Sequence, residues 1–186
     1  MKISIAIFLI LASVVDPGCN SQVKQSNSTT MANKPNIDSL LNSTDTNKSI
    51  IELDNYISKL CEYGEKLEKL NAHQKVFFLN QQLEREINNG GFNQYFFNSS
   101  GEYANETINS LVQIGANITA GILREAIQQF PDDKVPADEY ERRQNISEIE
   151  KKANSVWNQL DDRFYKYDDD LNELNFNYLT KHKDSI

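Results

Sequence analysis

The stretch Asn88-Asn89-Gly90-Gly91-Phe92-Asn93-Gln94-Tyr95-Phe96-Phe97-Asn98 decides how this chain is read. It sets amides, two glycines and four aromatics side by side. Upstream, Val76, Leu79, Leu83 and Ile87 recur at helical spacing, and Phe77 and Phe78 widen the same face. Asn71, with Gln74 three positions on, has the form of a capping box that starts this helix. Asn and Gly tolerate the left-handed C-terminal conformation, so the helix is expected to stop at residues 88–91. A short helical turn over Gln94 to Asn98 follows, broken by Ser99-Ser100-Gly101. Read structurally, the aromatics plug a small core and the amides bond carbonyls orphaned by the turn. Read functionally, Asn89, Asn93, Gln94 and Tyr95 offer amide and phenol groups to a ligand beside aromatic walls. The amides exceed what one turn needs, so both readings stay open.

Helical patterns extend outward on both sides. Leu53, Ile57, Leu60, Gly64 and Leu67 form one stripe across residues 49–70, with Glu62–Lys66 and Glu65–Lys69 at i,i+4 on its polar faces. A further helix is expected from Glu102 to Ile114, closed by Gly115. Asn117 is the expected cap of the next, which carries Ile118, Ile122, Leu123, Ala126, Ile127 and Phe130. Gly121 inside that helix costs roughly 1 kcal/mol against Ala, and a close helix–helix approach would account for it. Phe130-Pro131 ends it, and the polar stretch to Ile146 reads as a loop or frayed helix. Ile149, Ala153, Val156, Trp157, Leu160 and Phe164 give the clearest stripe of all. Asp168-Asp169-Asp170 precedes a last helix with Leu171, Leu174 and Tyr178, and the chain ends on a polar tail. No strand pattern and no internal repeat stands out. The fold class is all-α, a compact bundle of six or seven helices over residues 49–186.

Charge narrows the partners. The chain of 186 residues carries a formal net charge of -8. Setting aside the three acids and four bases of residues 1–48 leaves 24 acids against 15 bases in the body. Such a field repels nucleic acid and favours a basic protein partner, so direct nucleic-acid binding is not expected.

The N-terminus reads as an address. Met1-Lys2 precedes about 13 mostly apolar residues, the length of a signal-peptide core and too short to span a bilayer. Gly18-Cys19-Asn20 then resembles a bacterial lipobox, although Asp16 holds the place of its usual aliphatic residue. Residues 1–19 are read as a signal peptide ending at a lipidated Cys19, which attaches the protein to the cell envelope. Secretion or periplasmic release without lipid is the alternative. Residues 20–48 are rich in Ser, Asn, Thr, Gln and Lys and read as a flexible tether. Cys61, between Leu60 and Tyr63, reads as a half-buried inert helical thiol; a Cys19–Cys61 disulfide is the alternative in an unlipidated chain.

Catalytic signals are sparse. His73 and His182 are far apart in sequence and outside metal-ligand spacing. There is no zinc-type cysteine pair, no phosphate-cradling glycine loop and no nucleophile elbow, so neither cofactor nor metal is assigned. Asp168-Asp169-Asp170 with Glu173 lacks the glycine and alternation of a calcium loop and fits helix capping better. Glu84 and Glu86 lie close to the central block but two residues apart on a helix, facing different ways. The chain reads as non-enzymatic.

The residues also carry a likeness. Glu86-x-Asn88-Asn89-Gly90-Gly91-Phe92-x-Gln94-Tyr95-Phe96-Phe97-Asn98, then Ile114-Gly115-Ala116, Leu123-x-x-Ala126 and Phe130-Pro131, resemble the bacterial DNA-mimic protein family. The likeness is strong from Leu70 to Pro131 and continues in hydrophobic pattern to Leu179. It implies an all-α fold. For the founding member it also implies carboxylates that imitate DNA phosphates and occupy a DNA-binding protein, such as a repressor or a nucleoid protein. A basic groove that gains affinity by releasing counterions from DNA does the same with spaced carboxylates. Candidate acids here are Asp132, Asp133, Asp138, Glu139, Glu141, Glu148 and Glu150. The export signal departs from a cytoplasmic mimic. The leading expectation is therefore an envelope lipoprotein whose acidic domain binds a basic protein, in an immunity-like role. Cytoplasmic DNA mimicry, and a small-ligand receptor or enzyme built on the amide–aromatic block, are the alternatives.

Overall fold

A computed structural model describes residues 33–186. Seven α-helices follow in order: α1 (Ile37–Leu41), α2 (Thr46–Leu60), α3 (Ala72–Phe97), α4 (Ala104–Ile114), α5 (Asn117–Ile127), α6 (Glu139–Phe164) and α7 (Leu171–Lys181). No strand occurs among the described residues, so the all-α reading holds. None of the described helices is long and apolar enough to cross a membrane.

α3 runs through the middle and packs against α2, α4, α6 and α7. It starts as its sequence dictates. Asn71 accepts from the backbone N–H of Gln74 at 3.0 Å, and the Gln74 side chain accepts from Asn71 N at 3.1 Å. That reciprocal pair satisfies two donors that the first turn leaves free. Phe77, Leu83, Ile87, Phe92 and Phe96 then line its buried face. Phe96, Phe130 and Trp157 join α3, the end of α5 and α6 in one aromatic cluster, with ring centroids 5.0–5.8 Å apart. The buried Trp157 indole donates to Ala126 O at 3.0 Å, so its polar end is satisfied within the core.

Several boundaries differ from the sequence reading. Residues 37–48 do not belong to the tether: they form α1 and the start of α2, with Ile37 and Leu41 buried. α1 packs against α2 and α7, and the last residues, which form no free polar tail, add to its hold. Ile186 is buried, Lys183 pairs with Asp38 at 3.0 Å, and Lys34 donates to Ile186 O. α2 ends at Leu60 rather than continuing to residue 70. Glu62, Tyr63 and Gly64 adopt left-handed backbone, with φ of 51°, 60° and 105°. The bend redirects Leu67 into the core while breaking the helical stripe. Lys69 consequently pairs with Glu62 at 2.6 Å instead of Glu65, and Lys66 meets Glu62 as expected at 2.9 Å.

Gly121 has open space where a side chain would stand, so no close helix approach explains it. The polar stretch after Pro131 yields α6 from Glu139 onward, capped by Asp138, whose carboxylate accepts from Glu141 N at 2.8 Å. Gly115, at φ 90°, closes α4 as its position suggested. The aspartate triplet caps two helices: Asp170 accepts from Glu173 N at 2.9 Å on α7, and Asp169 from Thr119 N at 2.7 Å on α5. Asn117 therefore opens α5 without capping it. The two histidines, distant in sequence, stack with ring centroids 3.9 Å apart, and His73 Nδ1 lies 2.8 Å from the Tyr178 hydroxyl.

Candidate functional site

At the central block α3 kinks instead of stopping. Gly90 is extended and Gly91 left-handed, at φ 72°, and the helix resumes at once over residues 92–97. A side chain at residue 91 would be strained twice, by its backbone angle and by the Asp161 carboxylate lying over the Cα. That carboxylate accepts from Phe92 N at 2.9 Å and caps the resumed limb. At the other end, Arg142 is 1% exposed and fans across four carbonyls. Its Nε donates to Phe96 O at 2.9 Å, Nη2 to Asn98 O at 3.2 Å, and Nη1 to Pro136 O and Ala137 O at 3.0 and 2.8 Å. α6 thus supplies a negative group to the start of the limb and a positive group to its end, the signs a helix dipole favours.

The amides are committed inward. Glu86 accepts from Gln94 at 2.7 Å and from Asn98 at 2.9 Å, bridging the kink. Asn93 donates to Asn154 on α6 at 2.8 Å. Asn88 donates to the Tyr167 hydroxyl at 2.5 Å, and the Tyr165 hydroxyl donates to Ile87 O at 2.8 Å. Tyr95 is 1% exposed and donates to Thr107 at 3.1 Å; burial pushes its phenol pKa far up. Asn89 is exposed. The four residues Asn89, Asn93, Gln94 and Tyr95 do not converge. Tyr95 forms part of the floor of one cleft, and the other three do not line it.

That cleft, of about 390 Å³, opens between the Glu62–Gly64 bend, α3 and the start of α4. Phe78, Leu79 and Tyr95 form its floor, Tyr63 and Tyr103 flank it, and Glu62, Glu65 and Glu102 bring carboxylates to it. The sequence reading missed it. The only local signal was Gly64, which sat inconspicuously within a helical stripe. It missed Arg142 and Asp161 as well, since neither has a local signature.

The seven candidate acids are all exposed. Asp132 and Asp133 sit in the turn before α6 with φ of 56° and 52°. The helical repeat divides the others. Asp138, Glu141 and Glu148 share one flank of α6, while Glu139 and Glu150 share the opposite one. Glu139 pairs with Arg143 at 2.8 Å, and that guanidinium lies 4.3 Å over the Phe97 ring. Asp132, Asp133, Glu141, Glu148 and Glu150 have no ion-pair partner among the described residues. Glu84 is half-buried. Burial foremost, and then Asp170 and Asp54, push its carboxyl pKa up against hydrogen bonds from Tyr167 and Gln81. Cys61 is fully buried rather than half-buried, its thiol 3.4 Å from Ser58 O and its pKa raised by burial. Cys19 lies outside the described residues.

A protein-family model described as DMP19-like protein matches residues 68–182. The match begins just before the capping box of α3 and ends at the stacked His182, so it takes in the kink, its clamp and the cleft floor. No curated protein and no solved structure matches the chain.

Proposed function

The chain belongs to the DMP19-like protein family, and from that footing we propose that it is a protein-binding module whose carboxylates occupy a basic, DNA-binding type of surface on its partner. The observation that carries this reading is the set of exposed, unpaired acids at the α5–α6 turn and along α6. Asp132 and Asp133 lie in the Pro131–Asp133 turn before α6, and Glu141, Glu148 and Glu150 lie on α6 itself. Glu141 and Glu148 stand two helical turns apart on one flank, roughly 10 Å along the axis. Fixed carboxylates offered at such intervals let a basic groove release its counterions, as DNA phosphates do. Lys151 and Lys152 interrupt the run, so recognition is patterned and not a matter of net charge alone.

The module is held at the bacterial cell envelope by a lipid on Cys19. An envelope site directs it to basic proteins that enter or cross the envelope, an immunity-like role, and a basic nuclease is the type of target. The clamp around residues 90–98 serves this function by fixing α6, which presents the acids.

Competition tests the binding. Labelled duplex DNA is bound to a basic nucleoid protein, and in parallel to a basic nuclease, and the full chain is added at low salt. Displacement that weakens steeply with salt is the expected result. The paired change Glu141→Lys with Glu148→Lys should raise the inhibitory concentration about tenfold or more. A full chain that displaces no DNA from either protein at low salt overturns the reading. Location is tested separately: labelled fatty acid should attach to the wild-type chain and not to Cys19→Ser. A cytosolic, unlabelled wild-type chain would move the same module to cytoplasmic DNA-binding proteins.

A further inference from the structure

We propose that the cleft between the Glu62–Gly64 bend and Tyr103 is an arginine-binding pocket that takes one guanidinium side chain from the basic partner. The proposal deepens the reading above and rests on it for the source of the arginine. It concerns a surface distinct from the α6 acids.

Three features of the cleft lead there. Its polar floor is already satisfied: the Tyr95 hydroxyl is tied to Thr107 at 3.1 Å, and the Ser100 hydroxyl to Tyr95 O at 3.0 Å. What remains for an occupant is ring surface and carboxylate, with the Gln82 amide and the Ser99 hydroxyl beside them. Tyr63 is 66% exposed, and Tyr103 and Phe78 line the same space. The charged groups that line it are all negative. Glu62 is shared by Lys66 and Lys69, but Glu65 and Glu102 have no ion-pair partner among the described residues. Burial, and then Glu102, Glu106 and Glu68, push the Tyr103 phenol pKa up, as a negative surrounding requires.

The protein uses the same device on its own cations. Lys75 Nζ lies 5.8 Å from the Tyr103 ring centroid and pairs with Glu106 at 2.8 Å. Arg143 lies over Phe97 and pairs with Glu139. In each case a ring face and a carboxylate together hold one positive group. The cleft repeats that combination at Tyr63, Glu65 and Glu102, which have no cation partner among the described residues, while Tyr103 is already faced by Lys75 and Glu62 is held by Lys66 and Lys69. Arginine fits better than lysine, because a planar guanidinium stacks on rings and forks onto carboxylates. A neutral ligand would gain no attraction from the exposed carboxylates of Glu65 and Glu102, and an anion would be repelled.

The probe is acetyl-Gly-Arg-Gly-amide, with the citrulline peptide as its neutral isostere. Each is titrated into the isotope-labelled full chain at low ionic strength and followed by NMR. The arginine peptide should shift resonances of Tyr63, Gly64, Glu65 and Tyr103, and the citrulline peptide should not. The paired change Glu65→Gln with Glu102→Gln should weaken binding about tenfold. Tyr63→Ala should weaken it several-fold, and Tyr63→Phe should restore it. These side chains are exposed or half-exposed, so a urea midpoint close to wild type certifies folding. Equal response to both peptides, shifts confined to α6, or unchanged binding after the Glu65/Glu102 change would each overturn the pocket. The two proposals fail separately. If the cleft gives no response while DNA competition persists, the pocket is wrong and the acidic module stands. If the cleft responds but no DNA is displaced, the pocket stands without the module.

Discussion

The kink at Gly90–Asn98 and the bend at Glu62–Gly64 both turn the chain through left-handed backbone, and they treat polar groups in opposite ways. At the kink the left-handed residue is Gly91, with Asp161 lying over it. Nearly every side-chain amide there bonds back into the fold. At the bend the left-handed residues include Glu62 and Tyr63, whose side chains stand at the rim of a cleft. The segment with the more unusual composition is thus an internal brace. The plainer one engages Glu62 with two lysines but leaves the Tyr63 ring and the neighbouring Glu65 carboxylate free to meet another molecule. Backbone strain alone does not separate the two; what separates them is whether the neighbouring polar groups already have partners.

The largest test of this contrast is Arg142→Ala. It removes one donor group from four carbonyls, in one buried and three part-buried hydrogen bonds. Leaving such groups unsatisfied costs about 1–3 kcal/mol each, partly recovered where water enters, so a total loss of roughly 3 kcal/mol or more is expected. Urea denaturation reads it directly. A loss below about 1 kcal/mol would mean that the limb over residues 92–97 does not depend on α6.

Two substitutions at left-handed positions should have opposite signs. Gly91→Ala places a methyl group against Asp161 at φ 72° and should destabilise by about 2 kcal/mol. Tyr63→Gly relieves a non-glycine residue at φ 60° and should be neutral or stabilising by up to about 1 kcal/mol. The same glycine change should still weaken arginine-peptide binding several-fold. Thermal and urea unfolding of both variants supply the comparison. Destabilisation by both would show the bend to be as firmly built into the fold as the kink.

Much of the fold was legible because its signals are local. The Asn71–Gln74 capping box, the terminal Gly115 and the cap at Asp170 each lie within a few residues of the helix end they define. The all-α class followed from stripes such as Ile149 to Phe164. What was illegible depends on partners far along the chain. Arg142 reads as a surface charge until carbonyls 44 and 46 residues upstream are brought beside it. Asp161 meets Phe92 across 69 residues. The cleft was hidden because Leu67 continues the stripe of α2 by coincidence of spacing, although the helix has ended and Leu67 reaches the core from a separate turn. The candidate acids were placed on the surface correctly, but their division between two flanks required the start of α6 at Glu139.

The smallest effect compares two carboxyls that burial treats alike. Burial is the leading cause that pushes up the pKa of both Glu84 and Asp161. A raised folded-state pKa means that the folded protein holds the proton more tightly than the unfolded chain does. The resulting stabilisation is complete below the unfolded value, about 4.3 for Glu, and is lost as pH rises through the raised one. Glu84→Gln fixes the side chain in an uncharged form. It should flatten the decline in stability above about pH 4 and leave the protein modestly more stable than wild type at pH 7. Asp161→Ala also removes a charge that burial disfavours, but it takes away the acceptor that caps Phe92. That variant should therefore lose stability at pH 7, by about 1 kcal/mol on the scale of a helix cap. Urea midpoints across this pH range, measured for both variants, distinguish a carboxylate bound into the backbone from one held only by side chains. Parallel profiles for wild type and Glu84→Gln would show that Glu84 ionises in the folded state as it does in the unfolded one.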